Sequence, residues 1–215
     1  MRNIQQSSLV VMVAGVLLGA FPLFADEPAA RLSYERLSPW KGEVGDGFRV
    51  GTMEASASVG AGLGMPILFS ETAHDWALTA LDLGWIFTDV QGEGKWYRGN
   101  WELLGELFGG GQFRPDAAYF IGVTPLVRYN FTPGGRWVPF ITMGAGATAT
   151  DIRNGDLSTT FEFNLQAGGG LHWFIRDHWA LTAQYRFIHL SNAGLKFPNL
   201  GLNTSTLLLG VSCFF

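Results

Sequence analysis

From residue 54 onward, apolar and polar positions alternate with a period of two, in segments broken by turn residues. A period of two is the strand period, because successive side chains point to opposite faces. The pattern predicts eight strands, over 54–64, 76–88, 99–108, 118–129, 137–150, 160–174, 179–190 and 203–215. The sixth is the clearest. Phe161, Phe163, Leu165, Ala167, Gly169, Leu171 and Trp173 share one face, and Glu162, Asn164, Gln166, Gly168, Gly170 and His172 share the other. In the eighth, Asn203, Ser205, Leu207, Leu209, Val211, Cys213 and Phe215 share one parity, and the last of them is an aromatic. Apolar outside and polar or small inside is the pattern of strands with lipid on one face and a lumen on the other. The expectation is an all-β, eight-stranded antiparallel transmembrane β-barrel of the outer-membrane type. A soluble β-sandwich, the alternative, leaves the outer aromatic stripe without a purpose.

Composition narrows this further. The chain has 29 glycines and is 14% aromatic, which suits strand curvature and interfacial girdles. With 14 basic against 18 acidic residues it lacks the charge of a nucleic-acid binder. The lone Cys213 excludes an internal disulfide. Arg2, an apolar run over 9–18 and small residues at Ala20 and Ala25 predict a signal peptide over 1–25. The run is short for a membrane-spanning helix, the other reading of this segment. Residues 26–53 fall outside the alternating pattern, as a periplasmic extension, a plug or a disordered arm, ahead of a barrel over 54–215. The connections 130–136 and 175–178 are short and alternate with longer polar ones, so they are expected at the periplasmic end. The stretch 89–98 must then be periplasmic too, although it is long. The seventh strand therefore rises outward, and roughly ten residues at ~3.3 Å bring His189 to the outer-leaflet interface.

Chemistry gathers at the end of that strand. Trp179, Leu181, Ala183, Tyr185 and Phe187 form its outward series, and His189 and Ser191 continue it. Two residues apart on a strand, both point to one face. Polar side chains there are cheap in the headgroup zone, which is the bland explanation. The functional one is that His189 takes the proton of Ser191 and makes it a nucleophile. An amide of Asn192 or Gly194 would then stabilise the oxyanion.

The stretch His189-Leu-Ser-Asn-Ala-Gly194, followed by Pro198, Asn199 and Gly201, resembles the signature of the lipid A 3-O-deacylase (PagL) family. The resemblance implies an eight-stranded outer-membrane barrel whose catalytic residues sit on the lipid-facing wall. It implies a serine esterase that removes the 3-O-linked acyl chain of lipid A in the outer leaflet of a Gram-negative outer membrane. Carried over by residue, it makes His189 the catalytic base, Ser191 the nucleophile and Asn192 a residue of the oxyanion site. The family's acid, a glutamate, falls on Asn203. Asparagine can orient an imidazole but cannot offset its charge. A weaker enzyme, an acid recruited from elsewhere, and a non-enzymatic barrel that has lost catalysis are the three consequences compatible with it.

No cofactor is implied. His172 has lumen parity and His178 lies in a turn, without a ligand cluster around them. Asp82, Glu102 and Glu106 share lumen parity with Arg128 and Arg186, which predicts interior ion pairs. The runs Gly109–Gly111 and Gly168–Gly170 read as strand curvature. Tyr185, Phe187 and Phe197 are candidates for acyl-chain contacts. Lys196, in the loop after the motif, is either a contact for a lipid A phosphate or a solvated lysine.

Overall fold

A computed structural model of the chain describes residues 48–215. The signal peptide expected over 1–25 and most of the 26–53 extension lie outside the described residues. Eight antiparallel strands close into a barrel in sequence order: β1 (Met53–Gly64), β2 (Asp75–Ile86), β3 (Gly99–Arg114), β4 (Ala118–Phe131), β5 (Trp137–Thr150), β6 (Phe161–Phe174), β7 (Trp179–Ser191) and β8 (Leu202–Phe214). Closure comes from β1 and β8, which pair from Glu54 opposite Phe214 to Gly64 opposite Thr204. A slip of one residue at any seam would turn every apolar side chain into the lumen, so the alternation itself holds the register.

Three strands run further at their C-terminal ends than the hydrophobic pattern predicts. β3 continues through Gly109–Gly111, which pair with β2 on one side and β4 on the other. The glycines allow close approach rather than ending the strand: a Cβ on Gly110 would fall 2.1 Å from the Ala77 carbonyl oxygen. β4 reaches Phe131, and β7 reaches Ser191, so the candidate nucleophile is still held in the sheet.

The connections 65–74, 115–117, 151–160 and 192–201 lie at one end of the barrel, and 87–98, 132–136 and 175–178 at the other. Loop length alone therefore does not separate the ends. The link 115–117 is tight, and 87–98 is long, steadied by a bridge between Gln91 and Gly99. The start of β1 and the end of β8 lie at the second end, where the Met53 N–H donates to the Phe215 carbonyl at 2.8 Å.

The lumen is filled. At the end bearing 192–201 it is capped by Trp76, Phe108, Phe120, Ile152, Leu157 and Leu190, all buried. At the opposite end Phe48, Val138, Phe174 and Phe214 form a second apolar plug, with Phe48 and Phe214 ring centroids 5.0 Å apart. Between the plugs lie the interior ion pairs. Arg128 bridges Glu54 and Glu102, and Arg186 bonds Glu106 and, at 2.9 Å, Gln166. Glu54, the first inward residue of β1, is a partner that the sequence did not announce. The outer wall is apolar, with Trp85, Trp101, Trp137 and Trp173 towards the end bearing the connections 87–98, 132–136 and 175–178. Trp137 and Trp173 stack at 5.3 Å, as in an interfacial girdle.

Candidate active site

His189 and Ser191 stand two residues apart on the outward face of β7, and Asn203 stands directly opposite His189 on β8. The three side chains form one line. Oδ1 of Asn203 is 2.8 Å from Nδ1 of His189, and Nε2 of His189 is 3.1 Å from Oγ of Ser191. His189 and Ser191 are partly exposed on the wall, while Asn203 is fully buried. The parity of β7 and the register of β7 on β8 thus bring together residues that lie far apart along the chain. The line ends in an accessible hydroxyl with a ring nitrogen behind it, which is the arrangement of a nucleophile and its base.

Two further groups complete the surroundings. Asn203 is covered by the β1–β2 connection, where its Nδ2 donates to the Ile67 carbonyl at 2.6 Å. Gly201, with φ of +81°, lies against the imidazole, so that a Cβ there would fall 2.7 Å from Cε1 of His189. Only glycine meets both demands, the positive φ and the absent side chain. The Ile67 contact had no recognisable sequence signal, whereas Gly201 belongs to the stretch that carries the family resemblance.

Asn192 is placed next to the site but its side chain is turned into the loop. Its Oδ1 accepts from the N–H of Gly194 at 3.0 Å and of Lys196 at 3.5 Å. Its Nδ2 donates to the Lys196 carbonyl at 2.9 Å and to Thr159 Oγ1 at 3.4 Å. The Asn192 backbone N–H donates to Asn199 Oδ1 at 3.0 Å. In the turn 192–194 the N–H of Ala193 is the one with no acceptor among the described residues.

The remaining predicted residues scatter around this centre. Phe187 and Tyr185 line the wall below His189, and the Tyr185 hydroxyl accepts from Ser205 Oγ at 3.2 Å. Lys196 and Phe197 are exposed in the 192–201 loop, Phe197 to 81%. His172 sits in the lumen against Thr182, and His178 meets the Phe214 carbonyl at the opposite end of the barrel.

One polar cluster near the site was not foreseen. Asp156, in the β5–β6 connection, accepts from the backbone N–H groups of Glu71 and Thr72, both at 3.0 Å, and from Ser70 Oγ at 3.3 Å. It also lies 3.0 Å from Nε2 of His74. Burial alone would raise its carboxyl; the N–H groups of Glu71 and Thr72 and the His74 side chain outweigh it and hold the carboxyl below its ordinary value. The Asp156 carbonyl in turn accepts from Gly201 N–H at 3.1 Å. Asp156 thereby ties together the connections on either side of His189.

The family model described as lipid A 3-O-deacylase (PagL) matches residues 57–212. Among solved structures, the crystal structure of the outer membrane enzyme PagL is similar with a TM-score of 0.51 and 22% identity, over 73% of this chain and 97% of that one. Neisserial surface protein A (NspA) is similar with a TM-score of 0.56 and 13% identity, over 77% of this chain and 99% of that one. At such identities these two structures speak for the barrel fold alone. No curated protein sequence matches the chain significantly.

Proposed function

The chain belongs to the lipid A 3-O-deacylase (PagL) family, a family of the Gram-negative outer membrane, and from that premise we propose that it is a serine esterase removing the 3-O-linked acyl chain of lipid A. The observation that carries the reading is the hydrogen-bonded line Asn203–His189–Ser191 on the lipid-facing wall.

In this mechanism Ser191 Oγ attacks the ester carbonyl while Nε2 of His189 takes its proton. The tetrahedral intermediate collapses, and the imidazolium returns the proton to the departing sugar alkoxide. Water then attacks the acyl-serine with His189 again as base, releasing the fatty acid. The Ala193 N–H, without an acceptor among the described residues, is the proposed donor to the oxyanion. Asn192 contributes by shaping the turn that carries it. Lipid A in the outer leaflet would reach Ser191 sideways, with its acyl chain along Phe187 and Tyr185, and would never enter the filled lumen.

The amide at position 203 favours a second reading, a barrel that keeps the scaffold without turnover. Mass spectrometry of lipid A from cells expressing the wild type and Ser191→Ala separates the two. Loss of one acyl mass in the wild type and its retention in Ser191→Ala is the expected result. Unchanged lipid A with correctly inserted wild type would sink the enzyme reading.

A further inference from the structure

The amide of Asn203 has two unlike ends, and its neighbours decide which faces where. Nδ2 lies 2.6 Å from the carbonyl oxygen of Ile67, an atom that only accepts. The end of the amide facing it must donate, so Oδ1 is the end presented at 2.8 Å to Nδ1 of His189. An acceptor opposite Nδ1 puts the ring proton there. The lone pair of the neutral ring then sits on Nε2, 3.1 Å from the Ser191 hydroxyl. A reversed amide would offer its NH2 to Nδ1, drive the proton to Nε2 and face Ser191 with an N–H. A carboxylate has no such ambiguity, because both its oxygens accept. An asparagine in that place needs an outside group to orient it.

The Ile67 carbonyl is held in place by a turn that its own residues disfavour. It also accepts from Ser70 N–H at 3.2 Å, closing a tight turn across Leu68 (φ 52°) and Phe69 (φ 78°). Bulky residues rarely adopt left-handed conformations, and such a turn persists only where its surroundings over-determine it. The surroundings here are the Asp156 carboxylate, which takes the N–H groups of Glu71 and Thr72 and the Ser70 hydroxyl. On the other side Met65 N–H donates to the Asn203 carbonyl at 2.8 Å. Ile67 is pinned from both directions.

We propose that the backbone carbonyl of Ile67, held by the turn that Asp156 latches, is a positioning group of the active site: it orients the Asn203 amide and so fixes His189 as the Nδ1–H tautomer. This rests on the reading of His189 as the base for Ser191. It also explains the amide at 203, since a carboxylate there would set one oxygen against the Ile67 oxygen.

The test is 15N NMR of the histidine side chains of the full barrel in lipid nanodiscs, with His189 assigned by its absence from His189→Gln, beside rates of lipid A deacylation. The wild type is expected to carry the proton on Nδ1. Asp156→Ala frees the turn, so both tautomers appear and kcat falls roughly tenfold or more with little change in KM. Asn203→Asp alone gives no gain, whereas adding it to Asp156→Ala restores Nδ1–H and part of the rate. Should Asp156→Ala fail to insert, two glycines added between Leu68 and Phe69 release the same carbonyl at an exposed tip. An Nε2–H wild type, a pure Nδ1–H signal after either release, or an equal gain from Asn203→Asp with and without Asp156 would each overturn the proposal. The NMR arm needs no turnover, so a chain that deacylates nothing defeats the enzyme reading and leaves this one separately tested.

Discussion

Gly201 packs against the edge of the His189 imidazole so closely that a methyl group in place of its hydrogen would sit 2.7 Å from Cε1. The contact comes from the connection leading into β8, while the histidine stands on β7. Gly201 is thus a wall of the site, and its N–H is anchored on the Asp156 carbonyl at 3.1 Å.

Gly201→Ala is expected to displace the ring and to strain the backbone, given φ of +81°. The left-handed conformation costs a residue with a side chain about 1–2 kcal/mol. A small displacement of a catalytic group costs roughly ten- to hundredfold in rate. Deacylation rates beside thermal unfolding in micelles check this; an unchanged kcat would remove Gly201 from the site.

Asn192→Ala should loosen the loop rather than strip a group from the reacting atoms. The Asn192 side chain makes four hydrogen bonds inside the 192–201 loop and to Thr159. The expected outcome is a lower kcat together with faster tryptic cleavage after Lys196. A fall in kcat with unaltered tryptic sensitivity would instead put the Asn192 side chain in direct contact with the oxyanion.

Arg128→Met removes the cation shared by Glu54 and Glu102 in the lumen. Breaking a buried ion pair from one side leaves uncompensated charge and costs about 3–5 kcal/mol. Urea unfolding of the inserted barrel should show that loss with little effect on deacylation by the folded fraction. Arg128 is far from the outer wall by parity, so a selective loss of activity at full stability would contradict this division of labour.

The loop latch has a pH signature. The Asp156 carboxyl is held below its ordinary value of 3.8 in the folded state, so the open loop binds a proton more readily than the closed one. The latch therefore contributes fully above about pH 4 and weakens as pH falls through the lower folded value. Protection of the Glu71 and Thr72 amides from hydrogen exchange, taken relative to the intrinsic rate at each pH, should hold at neutral pH and fall only in strong acid. A loss of protection between pH 7 and 5 would mean that Asp156 is not the group holding them.

Much of this molecule is legible in the period-two pattern. The outward parity of His189 and Ser191 follows from Leu181, Ala183, Tyr185 and Phe187 before them, because a strand sends alternate residues to one face. The pairing of Glu102 and Glu106 with arginines in the lumen follows from the same parity, whereas Asp82, expected to pair likewise, accepts from Ser56 Oγ at 2.9 Å instead. The eight strands follow from the turn residues between segments. The ends of β3 and β7 did not, because glycines and loop-like residues extend a strand when a neighbouring strand supplies hydrogen bonds.

What the sequence by itself determined is local: which residues form strands, which face each presents, and that a histidine and a serine share the lipid-facing wall. What only the tertiary structure decided is how residues remote in the chain close on that pair. Ile67 and Asn203 are 136 positions apart, and the group that matters at Ile67 is a main-chain carbonyl. Every residue carries one, so no choice of side chain could announce it; only the closed barrel and its latched loop put that oxygen where it orients an amide.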